Sequence, residues 1–189
     1  MNSLERIKSA TGTGNGLEKG ISAGDKDRQF NDRSAIKHLK ELHIEEQKRK
    51  YPSLNYYSSP DYSASKTNGL TKCVLAFLKL KGHQAERISC EGRVLDTRKT
   101  FIDSVGYNRT VGSVTRIKSS GQPGTADISA TIAGRSVKVE VKNKSTRDRQ
   151  SEAQRKYQQQ IEAASGIYII CSSISQFLNY YYANFGNHE

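Results

Sequence analysis

Residues 123–142 read PGTADISATIAGRSVKVEVK, and their alternation decides the fold. Ala126, Ile128, Ala130 and Ile132 alternate with Asp127, Ser129 and Thr131. Beyond a turn at Ala133-Gly134-Arg135, Val137, Val139 and Val141 alternate with Lys138, Glu140 and Lys142. A strand repeats every second residue, so the stretch is a β-hairpin with one apolar and one polar face. The apolar rows share one core. The polar row gathers Asp127, Glu140 and Lys142, two carboxylates able to hold a divalent cation beside an amine able to orient a water or steady an anion.

Outward from the hairpin, the C-terminal side reads as helix, strand, helix. Ser151-Glu152-Ala153-Gln154 fits a capping box with Ser151 as N-cap and Gln154 at the third helical position. Ala153, Tyr157, Ile161 and Ala164 give that helix its buried stripe, and Ser165-Gly166 end it. Ile167–Cys171 (IYIIC) is a continuous apolar run, the pattern of a central strand. Ile174, Phe177, Leu178 and Tyr181 then mark a closing helix over 172–182.

On the N-terminal side, 67–81 predicts an amphipathic helix through Leu70, Cys73, Val74, Phe77 and Leu78, capped by Thr67 or Asn68 and ended by Gly82. A short strand follows from Gln84 to Cys90. Residues 92–122 are polar and punctuated by glycine, a long loop or irregular hairpin suited to gripping a substrate. Residues 1–33 read as a flexible arm whose TGTGNG lacks the context of a phosphate loop. A helix capped by Ser34 is expected over 34–50, with Ile36, Leu39 and Leu42 on its apolar side, and a tyrosine-bearing linker over 52–66. The expected division is therefore an extension, 1–66, and a domain, 67–189, with element order α-β-β-β-α-β-α: an α/β fold with a mixed central sheet flanked by helices.

The formal net charge is +11 over 189 residues, +3 in residues 1–66 and +8 in residues 67–189. Such a balance favours a polyanionic partner, most simply nucleic acid. Three widely spaced cysteines without a CxxC argue against a zinc site or a disulfide framework and for buried thiols in a reducing compartment. No apolar run reaches membrane-spanning length and no signal-peptide core opens the chain, so a cytoplasmic protein without a membrane partner is expected.

Asp127 followed by Glu140-Val141-Lys142 is the Asp…(Asp/Glu)-x-Lys pattern of a large nuclease superfamily. With the Gly121-Gln-Pro-Gly-Thr-Ala-Asp127 entry, the Ser151-Glu-Ala-Gln154 helix start and the Ala164-Ser-Gly-Ile-Tyr-Ile-Ile-Cys171 strand, it resembles the VRR-NUC family of the PD-(D/E)xK superfamily over about residues 67–175. The resemblance implies a restriction-endonuclease-like core in a protein of bacterial or phage type, and a Mg²⁺- or Mn²⁺-dependent endo- or exodeoxyribonuclease. Asp127, Glu140 and the Val141 carbonyl would hold the metal, with Lys142 and Gln154 completing the catalytic set. Branched DNA such as a Holliday junction or flap is the expected substrate, and a homodimer would pair two cuts. Arg116, Lys118, Arg135, Lys138, Lys144, Arg147, Arg149 and Arg155 are the cations expected to meet DNA phosphates.

The chain departs from the family at one place. The family usually carries a glutamate near the start of its first helix; here Thr67-Asn68-Gly69-Leu70-Thr71 offers none. Glu86 or Glu91 is a possible substitute, each also at home on a solvated surface. Two other readings remain open: a non-catalytic nucleic-acid-binding module on a decayed nuclease fold, and a basic adaptor binding a partner protein through residues 1–66.

Overall fold

The computed structural model describes residues 29–89, 92–119, 121–142 and 149–186. It is a mixed α/β fold: among the described residues, a four-stranded mixed sheet and four helices. The sheet consists of β1 (Gln84–Arg87), β6 (Ile128–Ile132), β7 (Arg135–Val141) and β8 (Ile167–Cys171), in that spatial order. The first three are mutually antiparallel, and β8 lies parallel to β7. A parallel neighbour requires a crossover, supplied here by α3 (Glu152–Ala163).

The hairpin forms as its alternation requires. Ile128 pairs with Val139, Ala130 with Val137 and Ser129 with Lys138. Ile128, Ala130, Ile132, Val137, Val139 and Val141 are all buried. The turn is tighter than the three residues the sequence suggests. Ala133 (φ 48°) and Gly134 (φ 74°) form a two-residue turn with both φ positive, the geometry that matches strand twist, and Arg135 already belongs to β7.

Three helices cover the apolar face: α1 (Asp32–Lys50), α2 (Thr67–Leu80) and α4 (Ile174–Phe185). All five apolar positions expected on α2 are buried. At their centre the Phe77 ring meets Tyr181 edge-on at 4.9 Å and Phe177 at 6.1 Å. The tyrosine hydroxyls that this packing buries find partners at its rim. Tyr181 Oη hydrogen-bonds with His83 Nε2 and Tyr182 Oη with His38 Nε2, each at 2.7 Å. Phe30, Ala35 and Leu39 enter the same core, and Asp32 Oδ1 accepts hydrogen bonds from Ser175, so α1 is built onto the sheet domain. Cys73 and Cys171 are buried free thiols, pushed up by burial to about 11 and about 12. Cys90 and Glu91 lie outside the described residues.

Several local expectations are corrected. The N-cap of α1 is Asn31, with Ser34 returning the bond from the third helical position. Helix α2 starts after Lys66 with no side-chain cap. Strand β8 is at the sheet edge, and Ile170 is exposed there; Ile169 and Cys171 are buried on the helix-covered face, so one-sided burial accounts for part of the apolar run. Ala164 is exposed and lies just past the end of α3.

Of the two readings of 92–122, loop or irregular hairpin, the hairpin holds. Strands β2 (Arg93–Asp96) and β5 (Val114–Ile117) pair antiparallel, as do β3 (Lys99–Ile102) and β4 (Asn108–Val111). Thr97 N donates to the Ser113 carbonyl at 3.0 Å and Ser113 N to Thr97 Oγ1 at 3.1 Å, joining both ladders into one ribbon. Every residue of its four strands is exposed.

Phe77→Ala empties the centre of the aromatic cluster and is expected to lower unfolding free energy by about 3–5 kcal/mol. Urea denaturation checks this, and a loss below about 1 kcal/mol would contradict the packing described.

Candidate metal and phosphate site

Register places Ser129, Lys138, Glu140 and Tyr168 on the sheet face opposite the three-helix core, with Asp127 just ahead of β6. Helix α3 covers part of this face: Tyr157 meets Tyr168 edge-on, ring centroids 6.3 Å apart. The last ladder pair toward the site is Ile128 with Val139. Beyond it, the buried Val141 amide donates to Asp127 Oδ2 at 2.9 Å. A carboxylate thus takes the place of the backbone acceptor that the strand no longer supplies.

Glu140 is only 3% exposed. Its Oε1 lies 3.2 Å from Lys142 Nζ and also accepts a hydrogen bond from Gln154 Nε2. A buried carboxylate is costly unless paired and hydrogen-bonded, and Glu140 is both. Gln154 also performs the capping role expected of it: its N donates to Ser151 Oγ, and its Oε1 accepts from Ser151 N. One amide therefore fixes the helix start with its oxygen and the acid with its nitrogen.

Gly124 brings the chain close enough for this. Its φ is +83°, and a Cβ there would lie 2.4 Å from both the carbonyl carbon and oxygen of Ala153, and 2.7 Å from Gln154 N. The Pro-Gly entry to Asp127 rests directly on the first turn of α3. Gln122 adds a bond from its Nε2 to Gln160 Oε1 at 2.9 Å.

The structure brings together Asp127, Glu140, Val141, Lys142 and Gln154. It treats the expected cations differently. Arg135 stands at the far end of β7, five residues from Glu140, or about 17 Å at ~3.3 Å per residue, and does not join this group. Lys138 shares the site face but donates to Ser129 Oγ. Arg149 and Arg155 are exposed at the entry to α3 and on its first turn, and Arg116 and Lys118 are exposed on and beside the ribbon. Lys144 and Arg147 lie outside the described residues. Glu86 is exposed, paired with Ser129 and so diagonal to Asp127 across β1 and β6. No group of three acids, histidines or cysteines with metal-holding geometry occurs among the described residues.

Tyr168 was hidden in the sequence inside the apolar run IYIIC. Its ring faces the site, and its hydroxyl is held protonated to well above the usual range. Burial is the main cause, with the charges of Glu140 and Asp127 adding to it. Only its register against Lys138, next to Glu140 on the same face, could have disclosed it.

Comparison with family models, with curated proteins and with solved structures finds no significant match for this chain. No described helix is long and apolar enough to cross a membrane.

Two substitutions test the geometry. Gly124→Ala should cost at least about 1–2 kcal/mol from its left-handed backbone alone, with the collision against Ala153 added; thermal unfolding at full stability would contradict the close approach. Gln154→Glu keeps the capping box but sets a second carboxylate against Glu140. Because both cannot readily ionise, one has a raised folded-state pKa, and stability relative to the parent should fall as pH rises through it. A pH-independent difference in Tm would contradict the contact.

Proposed function

We propose that the chain is a metal-dependent deoxyribonuclease with a restriction-endonuclease-like core, directed at branched DNA. The observation that carries this reading is the meeting of Asp127, Glu140 and Lys142 at one end of the β6–β7 hairpin, with Gln154 fastening Glu140. The donor set fits a hard divalent cation: two carboxylates and the Val141 carbonyl, with room in the usual coordination of Mg²⁺ for waters and phosphate oxygens. Such an ion, Mg²⁺ or Mn²⁺, supplies charge neutralisation at the scissile phosphate and a more acidic bound water.

The protein's own groups do the positioning. Asp127 is anchored through Oδ2 on the Val141 amide, which fixes the direction of its carboxylate. Glu140 is held between Lys142 and Gln154. The Lys142 ammonium, beside Glu140, orients the attacking water and offsets negative charge developing on the phosphate. The high net charge of +11 supports a polyanionic substrate.

A second reading, a binding module without catalysis, is favoured by the start of α2. Its Thr71 hydroxyl donates to the Thr67 carbonyl, and Asn68 Oδ1 accepts from Arg87 Nη2 at 2.9 Å, so no acid stands there. Cleavage separates the two readings.

Asp127→Asn retains an oxygen for the Val141 amide while removing the charge, and Glu140→Gln likewise preserves shape. Each should abolish Mg²⁺-dependent cutting of labelled branched DNA with binding in EDTA unchanged. Lys142→Ala should reduce the rate on the order of 10²–10³-fold. Wild-type cutting by both acid variants would overturn the nuclease reading; cation-independent binding with no cutting by the parent protein would favour the module.

A further inference from the structure

In the ribbon from Arg93 to Ile117 every residue but Asp103 is exposed, yet it carries Val94, Leu95, Phe101, Ile102, Val105 and Tyr107. Its side chains bury little on the parent fold, so the core does not account for them. At ~3.3 Å per residue it reaches on the order of 30 Å. It leaves the sheet where the candidate site lies: one leg continues from β1, whose neighbour Ile88 donates through N to the Asp127 carbonyl at 2.8 Å, and the other leads toward Asp127 itself.

Charge selects the occupant. Residues 92–119 contain six basic residues, Arg93, Arg98, Lys99, Arg109, Arg116 and Lys118, against Asp96 and Asp103. Both acids are engaged within the ribbon. Asp96 takes the guanidinium of Arg98 through both carboxylate oxygens, and Asp103 takes Arg109 Nε at 2.8 Å. The remaining positive charge makes pairing of two such ribbons repulsive and favours a polyanion.

The tip is also built rather than loose. Asp103 Oδ1 accepts from Val105 N and Tyr107 N, and its carboxyl is held below the usual range, first by Arg109. Around that anchor Ile102 (70% exposed), Val105 (76%) and Tyr107 (65%) project into solvent. A preorganised apolar tip on a cationic stem suits a nucleic acid whose bases are partly unstacked: the stem follows phosphates while the tip contacts base faces.

We infer that this ribbon is a DNA-gripping arm whose apolar tip engages unstacked bases at a branch and whose stem tracks the flanking backbone. The inference rests on the nuclease reading for its choice of branched DNA, but it is tested without chemistry. Binding of a four-way junction and a matched linear duplex is measured in EDTA across a salt series. The combined variant Arg93→Gln, Lys99→Gln, Arg116→Gln should weaken binding to both DNAs at least ten-fold and reduce the slope of log affinity against log salt by about 2–3. Phe101→Ala with Tyr107→Ala should reduce the preference for the junction at least three-fold while duplex affinity stays near that of the parent. All five positions are exposed, and unchanged thermal unfolding confirms that the core is intact.

Arm-dependent DNA binding without cleavage by the parent would uphold the arm and remove the nuclease reading. Cleavage with DNA binding indifferent to both variants would do the reverse. Absence of DNA binding by the parent overturns the arm. So does a parent dimer, seen by analytical ultracentrifugation, that the variants dissociate without altering DNA binding, since the apolar residues would then cover a second copy.

Discussion

The hydrogen bond from the Val141 amide to Asp127 is the constraint on which the site depends. Strand β7 runs past the end of its pairing with β6, and Val141 is buried there. A buried amide with no acceptor costs about 1–3 kcal/mol, so the position before β6 must offer an oxygen. Asp127 does so with one carboxylate oxygen, and the same bond fixes its direction. Asp127 therefore has a structural role in the hairpin whatever else its charge does. Alanine would remove the acceptor and the charge together, whereas an isosteric amide keeps the acceptor and removes only the charge.

A second constraint acts from the other side. Gln154 divides its amide between the N-terminus of α3 and Glu140, while Gly124 sets the loop before Asp127 against the same helical turn. The two acids are therefore held by elements that contact each other. Neither carboxylate hangs from a free loop, and each has a supporting partner in place. That arrangement limits how far either carboxylate can reorient.

How much of this was legible follows from which contacts are periodic. The hairpin displayed its two faces because one is buried and the other polar, and α2 displayed its stripe for the same reason. Ser151 and Gln154 were readable because a capping box is a local pattern. Other features depend on contacts between distant segments. Gly124 looked like an ordinary turn glycine, since its close approach is to Ala153. Tyr168 was absorbed into an apolar run because its polar neighbour, Glu140, lies on another strand. The ribbon had no buried face to give it a one-sided alternation, so the sequence left it open between a loop and an irregular hairpin. The position of β8 at the sheet edge was likewise set by pairing order, which the run IYIIC does not encode.

The same absence of burial separates the work of the ribbon from that of the core. The aromatic cluster around Phe77 and the three helices secure the sheet without drawing on the ribbon strands. Apolar residues there contribute little transfer free energy to folding, because hydrophobic stabilisation scales with area removed from water. What they retain is area still available for association, and Asp103 has already met part of the ordering cost at the tip. A sheet end bearing two anchored acids and an exposed cationic ribbon that continues from β1 are thus held by separate sets of interactions. Changes at the ribbon surface should therefore leave the core intact, because the interactions that stabilise one are not those of the other.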